Sequence, residues 1–209
     1  MVSLPRLYPI LDPSCLHDSG SVLEAADQLT AAGVTLLQYR NKSANARQML
    51  DDARELKRRL AGRAMLIMND RADLCLAADF DGLHLGQDDL SPESARRIIG
   101  HEFQGKPRWL GVSTHNPEQL SEADKTSADY LAIGPVFATS SKANPDPVVG
   151  LEGVRKARAL TSKPLVAIGG ITRANARSVI EAGADSVAVI SDLLRDPRKS
   201  AEEFLAILR

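Results

Sequence analysis

The sequence predicts an α/β fold, a single (β/α)8 barrel of the TIM type over residues 1–209, and three observations carry that prediction. Short apolar segments and amphipathic segments alternate from one end of the chain to the other. The apolar segments are nearly continuous, as strands of a parallel sheet covered on both faces must be. Eight such units follow one another, enough to close a barrel that is smaller than typical. An open, doubly wound sheet is the alternative. Against it, the first strand-to-helix turn, Asp12-Pro13-Ser14-Cys15, has no glycine-rich dinucleotide fingerprint. No Ser/Gly linker divides the chain, so one domain is expected.

The units run as follows. Leu7 to Leu11 is the first strand, and Val22, Ala25, Ala26, Leu29 and Ala32 recur at helical spacing behind it. Gly33 closes that helix and Val34 to Leu37 forms the second strand. Ala46, Met49, Leu50, Ala53, Leu56 and Leu60 repeat the helical stripe, and Ala64 to Met68 is the third strand. Gly82 to Leu85 is the fourth, with Ser91-Pro92-Glu93 starting the next helix by cap and proline. Trp109 to Val112 is the fifth strand, and Asn116-Pro117-Glu118 repeats the cap-proline signal. Asp129 to Ile133, Pro164 to Ile168 and Ser186 to Ile190 complete the set, and a last helix spans Ser200 to Leu208. Ala138 to Gly150 has neither period. It reads either as a surface insertion or, because it holds Lys142, as a closing flap.

Composition narrows the function. Lys and Arg number 26 against 27 Asp and Glu, a net charge of −1, which argues against a nucleic-acid or membrane partner. No apolar run reaches the roughly 18 residues of a membrane span, and the first residues lack a signal peptide's pattern. Cys15 and Cys75 form neither a disulfide framework nor a metal spacing. A cytoplasmic location is expected. The oligomeric state is open, with a homodimer as one option.

Chemistry concentrates after the strands, at the end where parallel α/β folds bind ligands. Arg40 and Lys42 follow the second strand. If strand conformation persists there, both face the barrel mouth and suit phosphate oxygens; otherwise they are a solvated rim. Asp70 and Asp89 follow the third and fourth strands and could converge on Mg²⁺, which is typically held by one or two carboxylates plus substrate phosphates and water. They could equally be helix caps. Ile168-Gly169-Gly170-Ile171 and Ile190-Ser191 follow the last two strands, where such barrels often hold a phosphate on backbone N–H groups; a plain tight turn is the alternative. His84 alternates with apolar neighbours and is expected to be buried. His115, without a triad partner, is expected to be a structural hydrogen-bonder. The residues alone thus suggest a diphosphate–Mg²⁺ site near strands two to four and a monophosphate site near the last two.

The motifs as a set resemble the thiamine phosphate synthase family. They are Gln38-x-Arg40-x-Lys42, Asn69-Asp70, His84-x-Gly86-Gln87-x-Asp89, Gly111-Val112-Ser113, Gly134-Pro135-x-Phe137 and Ile168-Gly169-Gly170-Ile171. The similarity runs from Leu7-Tyr8-Pro9-Ile10 to Ala184 through Ser191. It implies a transferase of thiamine biosynthesis that joins 4-amino-2-methylpyrimidine-5-ylmethyl diphosphate to a thiazole ethyl phosphate, carboxylated or plain, releasing diphosphate. Position by position, it implies that Gln38, Arg40, Lys42, Asn69, Ser113 and Lys142 meet the pyrimidine diphosphate, with Arg40, Lys42, Ser113 and Lys142 catalytic. Asp70 and Asp89 would hold Mg²⁺. Thr139, Ser141, Gly170, Ile190 and Ser191 would meet the thiazole phosphate, and Ser140 beside them would also bind substrate. The family's usual Thr-x-Thr-Lys is Thr139-Ser140-Ser141-Lys142 here, so contact should survive with looser positioning. Gly100 to Arg108 is longer than usual and is expected to affect only a surface loop.

The implied chemistry is a dissociative displacement, in which cations stabilise the departing diphosphate while the aminopyrimidine delocalises positive charge. Two alternatives stand beside it. A thiazole tautomerase should lack the cations and metal carboxylates that this chain has, and a non-catalytic phosphate sensor would have no need of them.

Overall fold

The computed structural model describes residues 4–16, 21–139 and 146–209. Eight parallel strands close into a barrel: β1 (Leu7–Leu11), β2 (Leu36–Tyr39), β3 (Met65–Asn69), β4 (Gly82–Leu85), β7 (Trp109–Thr114), β8 (Tyr130–Ile133), β9 (Leu165–Ile168) and β10 (Ser186–Val189). Pairing of Leu7 with Val187 and Pro9 with Val189 joins the last strand to the first. Outside lie α1 (Val22–Ala31), α2 (Ala46–Leu60), α3 (Ala72–Ala77), α4 (Pro92–Ile99), α5 (Pro117–Asp124), α6 (Gly150–Leu160), α7 (Ala176–Glu181), α8 (Ser191–Leu194) and α9 (Pro197–Ile207).

Local chemistry starts these helices where the sequence marks them. Ser21 and Glu24 form a reciprocal capping box at α1, satisfying two backbone donors that the first turn leaves free. Asn45, Ser91 and Asn116 accept from the third helical N–H of α2, α4 and α5. Burial then separates two apolar layers. Tyr8, Ile10, Leu36, Ile67, Trp109, Tyr130, Ala132, Val166 and Ala188 fill the barrel, while the opposite strand faces pack under the helices.

Several boundaries move; β2 starts at Leu36 and the last helix at Pro197, where Val34 and Ser200 were expected. β2, β3 and β7 extend through Tyr39, Asn69 and Thr114, so Gln38, Asn69 and Ser113 belong to strands and not to the loops after them. β10 stops at Val189, and Ile190 precedes the short helix α8, which the sequence pattern did not reveal. The long 100–108 segment is more than a loop. It forms a hairpin, β5 (Glu102–Phe103) and β6 (Lys106–Pro107), whose turn residues Gln104 and Gly105 both have positive φ. Arg108 behind it is buried, donates to Ile99 and Phe80 carbonyls at 2.8 and 3.2 Å, and lies 4.4 Å over the Phe103 ring.

Candidate active site

Period-two alternation decides which groups reach the barrel interior. Gln38, Asn69 and Ser113 share the parity of the interior apolar residues Leu36, Ile67 and Trp109 on their strands, and His84 that of Gly82, where a Cβ would lie 2.6 Å from Ile67 Cδ1. All four sit toward the C-terminal strand ends, so the interior changes from apolar to polar at the mouth. Gln38, Asn69 and His84 are buried, and Ser113 is half-buried.

The two cations part company. β2 ends at Tyr39, so the strand does not carry Arg40 and Lys42 onward side by side. Arg40 pairs with Asp12, at the end of β1, and Lys42 pairs with Asp70, at the end of β3. Asp12 is buried and organises its own turn, accepting from the Ser14 N–H at 3.0 Å and hydroxyl at 2.6 Å. Sequence reasoning noticed Asp12 only as part of a turn without glycine. An Asp after the first strand and an Arg after the second, on paired neighbours, were the available signal.

Asp70 and Asp89 do converge. Burial first, and then the neighbouring Asp70 carboxyl, raise Asp89 above its ordinary value. Neither caps a helix: Arg71 precedes α3 without a side-chain cap, and Ser91 caps α4. Asp70 instead adopts a left-handed conformation, φ 62°, and its N–H donates to His84 O at 2.8 Å. Asp89 accepts from Gly86 N–H at 2.7 Å, and a Cβ at Gly86 would lie 3.0 Å from that same carboxylate oxygen. Two half-buried oxygen donors of like charge suit a hard divalent cation such as Mg²⁺. Among the described residues no third carboxylate, His or Cys joins them, so the protein side of such a site is two carboxylates.

An unbroken series of hydrogen bonds crosses the interior beneath this rim. Gln38 Nε2 donates to the Tyr8 hydroxyl (3.0 Å), which meets the Tyr130 hydroxyl (2.9 Å); that meets His84 Nδ1 (3.0 Å), and His84 Nε2 meets Ser113 Oγ (2.8 Å). Burial pushes the His84 imidazole down to about 4, and both tyrosines well above their usual range, so the series is uncharged near neutrality. His84 is buried as expected, yet it bonds directly to a predicted site residue. Gln87 Nε2 holds the Ser113 carbonyl at 2.6 Å. His115 is structural, bonded to Gly134 O at 2.6 Å and 3.5 Å from Asp146.

Across the mouth, β9 runs into Gly169 and Gly170, both at positive φ (99° and 62°). A Cβ at Gly170 would come within 2.5 Å of Ala138 O, so glycine is needed for both conformation and approach. Ile190 and Ser191 open α8 alongside. Arg173 ties the two loops, its guanidinium donating to both Asp192 carboxylate oxygens at 3.0 and 3.1 Å and also to Glu203. Thr139 is half-buried near this end, while Ser140, Ser141 and Lys142, and with them most of the expected flap, lie outside the described residues.

Comparison with known proteins agrees with this architecture. Residues 7–193 match the family model described as thiamine monophosphate synthase. The thiamine-phosphate synthase of Koribacter versatilis is 62% identical over 99% of this chain and 97% of its own. That of Chloroflexus aurantiacus is 46% identical over 89% and 83% respectively. The structure of a thiamine phosphate pyrophosphorylase from Pyrococcus furiosus superimposes with a TM-score of 0.84 at 35% identity, covering 97% of this chain and 95% of that one.

Proposed function

The chain belongs to the thiamine monophosphate synthase family, and from that premise we infer how its barrel mouth makes thiamine phosphate. As a thiamine-phosphate synthase it is a transferase acting on a pyrimidine diphosphate and a thiazole phosphate. The division of labour within the mouth is our proposal. The observation that carries it is the row of charge at the ends of β1 to β4: Arg40 on Asp12, Lys42 on Asp70, and Asp70 against Asp89.

In this reading Arg40, oriented by the buried Asp12, and the more exposed Lys42 bind the diphosphate, with Lys142 completing the set from the flap. Asp70 and Asp89 hold Mg²⁺, which when bound neutralises diphosphate oxygens and eases their departure. Gln38, Asn69 and Ser113 orient the pyrimidine in the polar upper layer. Thr139, Ser141, Gly170, Ile190 and Ser191 hold the thiazole phosphate, with Ser140 beside them. Breaking the methylene C–O bond sends its electron pair to diphosphate, and the thiazole nitrogen lone pair forms the new C–N bond. No proton has to be removed, which accords with an interior histidine that is neutral and bonded on both sides. Holding the two substrates in adjacent sites supplies the entropic advantage.

Incubating the protein with both substrates and Mg²⁺ should yield thiamine phosphate and diphosphate in equal amounts. Folded protein that forms neither, with authentic substrates, would overturn the assignment.

A further inference from the structure

Tyr8, Tyr130 and His84 lie below the residues placed against the substrates, yet they link two of them, Gln38 and Ser113. The packing around them is built for this link. Tyr130 stacks on His84 with ring centroids 5.6 Å apart, and meets Tyr8 and Trp109 edge-on at 6.1 and 6.5 Å. A Cβ at Gly111 on the adjacent strand would lie 2.0 Å from Tyr130 Cζ and 2.4 Å from its hydroxyl oxygen. Glycine at that position is what gives the tyrosine room to reach His84.

The chemistry of one end orders the whole series. The Gln38 amide nitrogen has only hydrogens to offer, so the Tyr8 oxygen accepts from it, and the buried Tyr8 proton, with no other acceptor among the described residues, goes to Tyr130. Tyr130 then directs its proton to His84 Nδ1. An imidazole accepting at Nδ1 carries its proton on Nε2, and that proton goes to Ser113 Oγ. Ser113 has one proton of its own, and its barrel-side position is already filled by a donor.

We propose that Tyr8, Tyr130 and His84 are positioning residues that fix the polarity of Ser113, committing its hydroxyl to donate a hydrogen bond to an acceptor atom of the substrate. This rests on the reading of Ser113 as a substrate contact. A network of the opposite polarity would make Ser113 donate to His84 and offer the substrate only lone pairs.

The tautomer of His84 tests this directly. In protein labelled with ¹⁵N-histidine and free of substrate, long-range ¹H–¹⁵N correlation should show the proton on Nε2, with a His84→Asn sample assigning the signal. A proton on Nδ1 overturns the polarity. The kinetic counterpart is Tyr130→Phe, which frees Nδ1 of its donor and should lower kcat about tenfold while leaving KM for the thiazole phosphate unchanged. In a Ser113→Ala background the same change should cost nothing further; an equal cost in both backgrounds would mean a packing role only and sink the proposal. Should Tyr130→Phe fold poorly, Tyr8→Phe breaks the same series one link earlier and is read in the same way. Full turnover by Ser113→Ala would overturn the underlying reading, and the proposal with it, whereas the tautomer measurement fails only if the polarity is wrong.

Discussion

At the scale of single residues, the least conspicuous group in the mouth is the one that orders it. Asp12 is 2% exposed and holds Arg40 against the end of β1, while two bonds from Ser14 fix the carboxylate itself. A guanidinium fork is useful to phosphate only when its plane is set in advance. Asp12→Asn keeps the size of the side chain and removes the charge that sets it. We expect KM for the pyrimidine diphosphate to rise about tenfold with the melting temperature lowered only modestly. Steady-state kinetics alongside a thermal melt would check this, and an unchanged KM would show that Arg40 needs no orienting. The contrast with Lys42, whose side chain is 56% exposed, follows from the same pairs: one cation is held, the other is left room to move.

At the scale of elements, the end proposed to hold the thiazole phosphate is built from two loops tied to each other. Arg173 follows the glycine pair after β9, Asp192 lies in α8, and their bidentate contact joins them. Burial pushes the Asp192 carboxyl up, but the Arg173 side chain and backbone N–H outweigh it and hold the group below its ordinary range. A carboxyl with a lowered folded-state value stabilises the fold above its unfolded value, and that contribution disappears as pH falls through the folded one. Asp192→Asn should therefore cost about 1 kcal/mol near neutral pH, because the pair is partly exposed. The gap to the parent should close in acid. Urea titrations at neutral and strongly acidic pH would measure it, and a gap that stays constant with pH would remove the ion pair as its cause.

At the scale of the whole molecule, the barrel is a plugged cylinder with a polar lid. Trp109, the first residue of β7, closes the lower interior against Tyr130, and Gln38, Asn69, His84 and Ser113 gather toward the mouth. Trp109→Ala should leave a cavity that strands on all sides cannot collapse to fill, at a cost of about 3–5 kcal/mol. That exceeds what most single substitutions cost. A denaturant midpoint close to the parent's would show instead that the floor repacks. Because Tyr130 also belongs to the hydrogen-bonded series, this change should weaken turnover even where the protein remains folded.

How much of this was legible follows from what local sequence can express. The eight strands were visible because a strand buried on both faces must be apolar, and the helix starts because caps and prolines act within a few residues. The strand ends were misplaced because Gln38, Asn69 and Ser113 interrupt the apolar runs that mark a strand, although their backbones remain in the sheet. The charged residues of the mouth were identifiable as types, but Arg40 and Lys42 would share a direction only if the strand continued through them; it ends at Tyr39, and they pair with opposite neighbours.

By itself, then, the sequence determined the alternation of strands and helices, the eight strands of the barrel, and the set of cations, carboxylates and glycines at one end. Those are consequences of burial and of backbone preference, both of which act over a few positions. Tertiary structure alone decided which groups meet. Asp12 reaches Arg40 across 28 positions, and Tyr130 reaches His84 across 46 and Tyr8 across 122. Such contacts depend on register and on closure of the barrel, and no local period encodes either.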